Sequence, residues 1–393
     1  MAQDEHGREH NENKMKSWKA ICVLLCALLL ASNFWSMLHW NEARGVFDDV
    51  CYLRQAHLFQ RFALGGFDTD ISRDDDGYLA AKLKAIGFPT PNDVTTAPCH
   101  TKIPATGKRV IQYPPGTGLL MALFPEGHQV VPLYVTASVV VFIFALAGIL
   151  MARTTWSIAM AGVLGLLAIY LMINPSKASY SMAPTMAVCA IAGFLTPRLV
   201  IATERSRPLI AVALGLLLGL AVDFRLPNLF LASGYFVFFL IALLSSFKLV
   251  LMVEGLCFGS AWLVGLAPTL VANAINAGRP FATTYGGQDV APPDFSFAVI
   301  RTYAADLQFI LLLVGCAWTA YMLRARREEG VRRVAVIVAA NLLFNLAFFM
   351  SHPVFTPYYT VPIAMLSLWS LLFATPVSVE AVDDRLLKQA AKA

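Results

Sequence analysis

The chain has 393 residues, of which 58% are hydrophobic and only 14% charged, with a net charge of +5. Soluble proteins run near a quarter charged, so this composition excludes an ordinary soluble domain and points to a polytopic membrane protein. The basic excess is spread along the chain near the ends of apolar runs rather than gathered into a patch, so no nucleic-acid partner is expected.

Residues 1–16 are polar, lack an apolar period and read as a disordered cytoplasmic tail. A membrane span needs about 20 apolar residues. About ten such runs follow, at roughly 18–38, 129–151, 155–173, 179–196, 208–222, 226–245, 249–273, 305–323, 334–351 and 357–376. The expected fold is therefore all-α, with about ten transmembrane helices in one domain over 17–376. Residues 39–128 form a large external loop, 275–304 a second one, and 377–393 a cytoplasmic tail that is short and amphipathic or disordered. A cleaved signal peptide over 15–31 is the competing reading of the first run, since small residues lie near Leu28 to Ser32.

Within the large loop, apolar or aromatic residues at 47, 50, 52, 53, 56, 58 and 59 predict an amphipathic helix lying along the membrane surface. The carboxylate-rich stretch Asp68 to Asp76 reads as solvated charge rather than a cation site, with a helix expected at 77–86. From Gly87 to Gly107 the Pro, Gly, Thr and Asn content predicts irregular loop. Cys51 and Cys99 share this loop and can form a disulfide in an oxidising space, although spacing alone leaves the pairing open. The loop closes on Tyr113-Pro114-Pro115-Gly116-Thr117-Gly118. There two prolines fix φ, and Gly116 is expected to allow a turn that a Cβ would block.

Orientation follows from the short loops. With the N-terminus inside, the inner loops carry ten basic residues, including Arg153, Arg198, Lys248 and Arg332. The outer short loops carry four: Lys177, Arg225, Arg279 and Arg301. Both termini are thus expected in the cytoplasm. Asp48, Asp49, the Tyr113 turn, Asp223, Arg225, Tyr285, His352, Tyr358 and Tyr359 then share the external face.

These segments resemble the GT-C membrane glycosyltransferases. Asp48-Asp49-x-x-Tyr52-x-x-x-Ala56, just after the first span, is similar to the Asp-Glu-x-x-Tyr motif of that superfamily. The nearest branches are the protein O-mannosyltransferases, the lipid A aminoarabinose-transferases and the bacterial Rgt-like enzymes. Tyr113-Pro114-Pro115-Gly116, Asp223-Phe224-Arg225-Leu226-Pro227-Asn228 and Gly278-Arg279-Pro280-Phe281-x-x-x-Tyr285-Gly286 resemble further segments of the same enzymes, in the same order. The chain departs from them in having Asp49 where Glu is usual, and in its His352-Pro353 and Tyr358-Tyr359 start to the last span. It is also shorter and lacks a large C-terminal soluble domain.

The resemblance implies a GT-C-like fold in a bacterial inner membrane, with surface helices in the long first loop. It implies transfer of a sugar from a polyprenyl-phosphate donor to a glycan, lipid or protein acceptor at the extracytoplasmic face. Asp48 stands four residues before Tyr52, as the catalytic Asp of the family does, and is the expected general base. Asp49 either orients the acceptor or holds a divalent cation. For the phosphate, Arg225 is the first candidate, with Arg279 and Arg301 behind it. Tyr52, Tyr113, Tyr285, His352 and Tyr358 complete the expected substrate-binding set.

Each residue also has a plainer reading. The Asp pair solvates the loop, Arg225 snorkels or pairs with Asp223, Tyr113 packs, His352 caps a helix, and Glu254 snorkels to the cytoplasmic surface. No Gly-x-x-x-x-Gly-Lys-Ser/Thr loop supports ATP-driven transport, and no His/Cys spacing suggests zinc or haem. A lipid or glycolipid transporter without chemistry, or an inactive scaffold of the cell envelope, is the rival expectation.

Overall fold

In hydrocarbon every backbone N–H and C=O must be bonded within the protein, so long apolar runs fold as helices. The computed structural model describes residues 2–42, 47, 49–173, 179–201, 206–246, 248–286, 292–325, 328–352 and 357–390, with side chains from Glu12 to Val377, Pro357 apart. The order is α1 (Ala2–Met37), α2 (Asp49–Phe62), α3 (Tyr78–Ala85), strands β1 (His100–Lys102) and β2 (Arg109–Ile111), α4 (Gly116–Met121), α5 (Val130–Met151), α6 (Thr155–Ile173) and α7 (Met182–Ile201). There follow α8 (Arg207–Phe224), α9 (Ser233–Ser246), α10 (Leu249–Ala277), α11 (Phe297–Ala304), α12 (Phe309–Arg324), α13 (Glu329–Ser351) and α14 (Val361–Ala390).

Eight segments among the described residues are long and apolar enough to cross a membrane: Glu12–Met37, α5, α6, α7, α8, Leu226–Ser246, α10 and α13. The protein is therefore an all-α integral membrane protein by the length and composition of its helices. The expected span at 305–323 is α12, which meets α11 at a 98° bend. The one at 357–376 is the apolar part of α14, Val361–Val377, which is shorter than the other spans. The N-terminal end, expected to be disordered, is helical from Ala2 in α1, and the C-terminal end, expected to be amphipathic or disordered, continues α14 to Ala390.

Core packing is tight and largely aliphatic, with Trp369 and Phe373 of α14, Tyr235 of α9 and Phe258 of α10 among its largest buried side chains. Helices α8 and α10 approach closely. A Cβ on Gly219 would stand 2.3 Å from the Trp262 carbonyl oxygen, and one on Gly265 2.4 Å from that of Leu216. Small residues at such a crossing let two backbones meet where lipid gives no hydrophobic drive.

The long loop folds onto one end of the bundle. Its centre is α2, and this corrects the expectation of a surface helix: ten of its fourteen residues are buried, Arg54 completely. The Asp68 to Asp76 stretch is not merely solvated, since Asp74 pairs with Arg54, Asp75 with Arg61 and Asp76 with His57. Val50 of α2 packs with Leu79, Leu83 and Ala97 in a small core of the loop's own. The region expected to be irregular supplies β1, antiparallel to β2 with Thr101 opposite Val110. Cys51 and Cys99 are joined in a disulfide that ties the first turn of α2 to the residue before β1.

Candidate active site

The first turn of α2 carries Asp49, 1% exposed. Asp48 lies outside the described residues. The Asp49 carboxylate stands at a helix N-terminus, where the macrodipole favours negative charge. Its Oδ1 accepts hydrogen bonds from the Ser179 hydroxyl (2.8 Å) and the Tyr180 amide (3.0 Å). Ser181 continues this chain of hydroxyls, donating to Ser179 at 3.2 Å. The Tyr180 hydroxyl reaches the Glu42 carbonyl at 3.0 Å, pinning the same segment to the start of the long loop.

One helical turn on, Tyr52 is buried beside Ser181 and Ser179. Burial pushes the Tyr52 phenol above its usual range, against the pull of those two serines and of the Arg225 charge. Its ring stacks on Tyr113, 5.3 Å between centroids, and Tyr113 in turn meets Tyr285 edge-on at 6.0 Å.

Arg225 enters from the end of α8. It is buried, its guanidinium lying 4.6 Å from the ring centroid of Tyr358 and 5.0 Å from that of Tyr359. One of its N–H groups donates to the Met182 thioether at 2.6 Å. The pairing with Asp223 that the plainer reading offered beside snorkelling does not form. The Asp223 carboxylate turns to α10, where Oδ1 accepts from the Thr269 amide (3.0 Å) and hydroxyl (2.5 Å). Asn228 closes the turn by donating to the Ala221 carbonyl (2.7 Å) and the Thr185 hydroxyl (3.0 Å). Three polar residues within six positions thus serve three different neighbours. The result leaves Arg225 facing aromatic rings, a setting in which a desolvated cation gains about 2 kcal/mol.

The Tyr113 turn earns its glycines by packing rather than by backbone freedom. Gly116 has no positive φ. It opens α4, and a Cβ there would lie 2.7 Å from the Asp223 Cβ and 2.8 Å from its carbonyl oxygen. Gly118 lies against the Gln55 side chain, 2.6 Å from where its Cβ would be. The turn is therefore a wedge between α2 and the end of α8, and Thr117 adds a hydrogen bond to the Phe224 carbonyl. Gly116→Ala is expected to lower stability by about 1–3 kcal/mol, because the obstructing atoms include backbone. Thermal unfolding of the purified protein checks this, and an unchanged midpoint would contradict the wedge.

Of the residues singled out in the sequence, Asp49, Tyr52, Tyr113, Arg225, Tyr285 and Tyr358 are linked through these contacts. Arg279 and Arg301 are exposed, unlike the buried Arg225. The His352 ring lies on Phe348, 4.1 Å between centroids, with Nδ1 2.8 Å from the Phe348 carbonyl at the end of α13. That is a helix-end role. Glu254 does not snorkel; it is buried in α10. No known family model matches this chain, and no curated protein matches it significantly.

Sequence reasoning missed Ser179, Ser181, Met182, Arg54 and Gln55. The string Ser179-Tyr180-Ser181 at the mouth of an apolar run is the signal that was available. Arg54 organises the loop beneath the site. Its N–H groups donate to the Thr69 and Asp70 carbonyls, both at 2.9 Å, and to His100 Nε2 at 3.3 Å. The Pro98 carbonyl, 2.8 Å from His100 Nδ1, can only accept, so Nδ1 carries the hydrogen and Nε2 takes the Arg54 proton. Burial and the Arg54 charge hold His100 down to about 3. Cys51, Cys99 and His100 cluster like metal ligands, but the disulfide consumes both thiolates. Among the described residues no group of three acidic, His or Cys side chains converges on Asp49.

His100 gives the loop a pH dependence whose sign is fixed. Its folded pKa is depressed, so it contributes stability that is whole above the unfolded value of about 6.5 and lost as pH falls toward about 3. The thermal midpoint is expected to drop between pH 7.5 and pH 5, and His100→Gln should flatten that drop. An identical slope in both proteins would refute the assignment.

Proposed function

We propose that the protein is an inverting glycosyltransferase that moves a sugar from a polyprenyl-phosphate donor to an acceptor hydroxyl at the extracytoplasmic face. The observation that supports this reading most is the buried cluster at one end of the bundle. There an anchored carboxylate helix, Asp49 to Tyr52, faces a guanidinium set among tyrosines. In the proposed step the acceptor hydroxyl oxygen attacks the anomeric carbon, and the bond from that carbon to the phosphate oxygen breaks. The electron pair leaves with the polyprenyl phosphate. The hydroxyl proton passes to Asp48, the residue that the GT-C resemblance marks as base. Arg225 meets the charge left on the phosphate. Asp49 holds the Ser179–Tyr180 segment against α2 and so positions its neighbour.

The charge bias of the loops favours the outside for this end of the bundle, with both termini inside, and the GT-C resemblance suggests a bacterial inner membrane. Acceptors in keeping with that face are glycans, lipids or proteins. A divalent cation at Asp49 would have to draw most of its ligands from the substrate phosphate and water.

A transporter of lipid or glycolipid is the second reading, favoured by Glu254, an acid buried within a span. Proteoliposomes carrying extracted polyprenyl-phosphate sugars and envelope acceptors separate the two. The enzyme yields glycosylated acceptor, and Arg225→Met should cut the yield by about tenfold or more. Movement of intact lipid with no product would overturn the proposal in favour of transport.

A further inference from the structure

Beside the charged cluster lies a second compartment with different chemistry. A cleft of about 200 Å³ opens between α2, β2, α8, α10 and the segment 280–285. Among the described residues that line it there is no Asp, Glu, Lys, Arg or His. Its polar lining is made of amides and hydroxyls, chiefly Gln55, Gln112, Asn273 and Thr283, and its apolar lining is leucine-rich. Tyr113 and Tyr285 stand at its edge. Tyr113 thus joins the two, its ring meeting Tyr52 of the charged cluster and Tyr285 of the cleft.

From this chemistry we infer that the cleft binds a neutral, hydroxyl-bearing ring, a single pyranose, while anionic groups are left to Arg225. A phosphate or carboxylate would find no cation in this lining. An entirely apolar guest would strand its amides, which costs about 1–3 kcal/mol for each polar group left without a partner. A pyranose satisfies both linings, with ring hydroxyls for the amides and C–H faces for leucine and tyrosine. Gln55 strengthens the case: it is 1% exposed, and its Oε1 has no hydrogen-bond partner. Amide side chains turn readily about their last torsion, so a ligand hydroxyl at this lining can complete an unmet bond. The volume also decides, because clefts for drug-sized ligands run to about 300–1,000 Å³. One ring matches the cleft, and the rest of an oligosaccharide or a prenyl chain would lie outside it.

The identity of the ring as a sugar rests on the glycosyl-transfer reading, and the experiment keeps the two apart. The full chain in nanodiscs is probed by saturation-transfer NMR with methyl α-mannoside and methyl α-glucoside, with glycerol as the acyclic control. Ring protons of at least one glycoside are expected to receive saturation, undiminished by equal inorganic phosphate. The apparent affinity should fall about tenfold in Gln55→Leu and in Asn273→Ala, both checked for a wild-type elution profile. Tyr285→Ala, which changes no amide, should weaken it too. Displacement by a short-chain prenyl-phosphate sugar assigns the ring to the donor, and displacement only by a free disaccharide assigns it to the acceptor.

No signal from either glycoside, binding that phosphate abolishes, or binding untouched by all three variants overturns the inference. Glycoside binding without transfer in proteoliposomes upholds the cleft and removes the enzyme. Transfer without glycoside binding does the reverse.

Discussion

Asp48→Asn is expected to lower sugar transfer by about 10²–10⁴-fold, the range a general base contributes, with the thermal midpoint unchanged. Asp49→Asn should behave differently, losing stability as well as rate. The Asp49 Oδ1 is occupied by the Ser179 hydroxyl and the Tyr180 amide. Hydrogen bonds to a charged group contribute about 1.5–3 kcal/mol against about 0.5–1.5 for neutral pairs, and the charge also favours the helix N-terminus by about 0.3–1 kcal/mol. Neutralising Asp49 should therefore cost about 1–2 kcal/mol in folding. Asp49→Ala should cost more, since it strands two donors. Turnover and thermal unfolding measured on the same preparations separate the roles. If Asp48→Asn is active while Asp49→Asn is folded and dead, the base is Asp49 and the positioning account fails.

That contrast marks how far the sequence could be read. The spans were legible because burial in lipid imposes an apolar run of fixed length: α5 and α6 begin and end within about a residue of expectation, and α13 ends where expected. That Asp49 turns inward was not legible, because only its docking partner decides it. For Asp49 that partner is Ser179, 130 residues away. The burial of α2 was hidden for a related reason. An apolar stripe looks the same whether it meets lipid or protein, and what covers the polar side is a set of backbone carbonyls from residues 69 and 70. Gly116 was singled out correctly but for another cause, a close approach to Asp223 that no local pattern contains.

Arg54 carries the second large effect, on stability. It is 0% exposed, and burial draws its pKa down only to about 10, so it stays charged at neutral pH. Asp74, Asp70 and Asp68 each favour that charge, and the Asp74 carboxylate stands 3.7 Å from Nε. Replacing one partner of such a buried set by an apolar residue leaves the others uncompensated, at a cost of about 3–5 kcal/mol. Arg54→Met should therefore unfold the loop first. Arg54→Lys should rescue little, because one ammonium cannot reproduce the fork that spans two carbonyls and an imidazole. Reduction of the Cys51–Cys99 bridge acts on the same junction and should cost about 2–4 kcal/mol. The two changes share a structure, so their effects should not add. Thermal unfolding with and without reductant, in wild type and Arg54→Met, measures the coupling. Strict additivity would mean that the bridge and the guanidinium hold separate parts of the loop, and that Asp49 is positioned by only one of them.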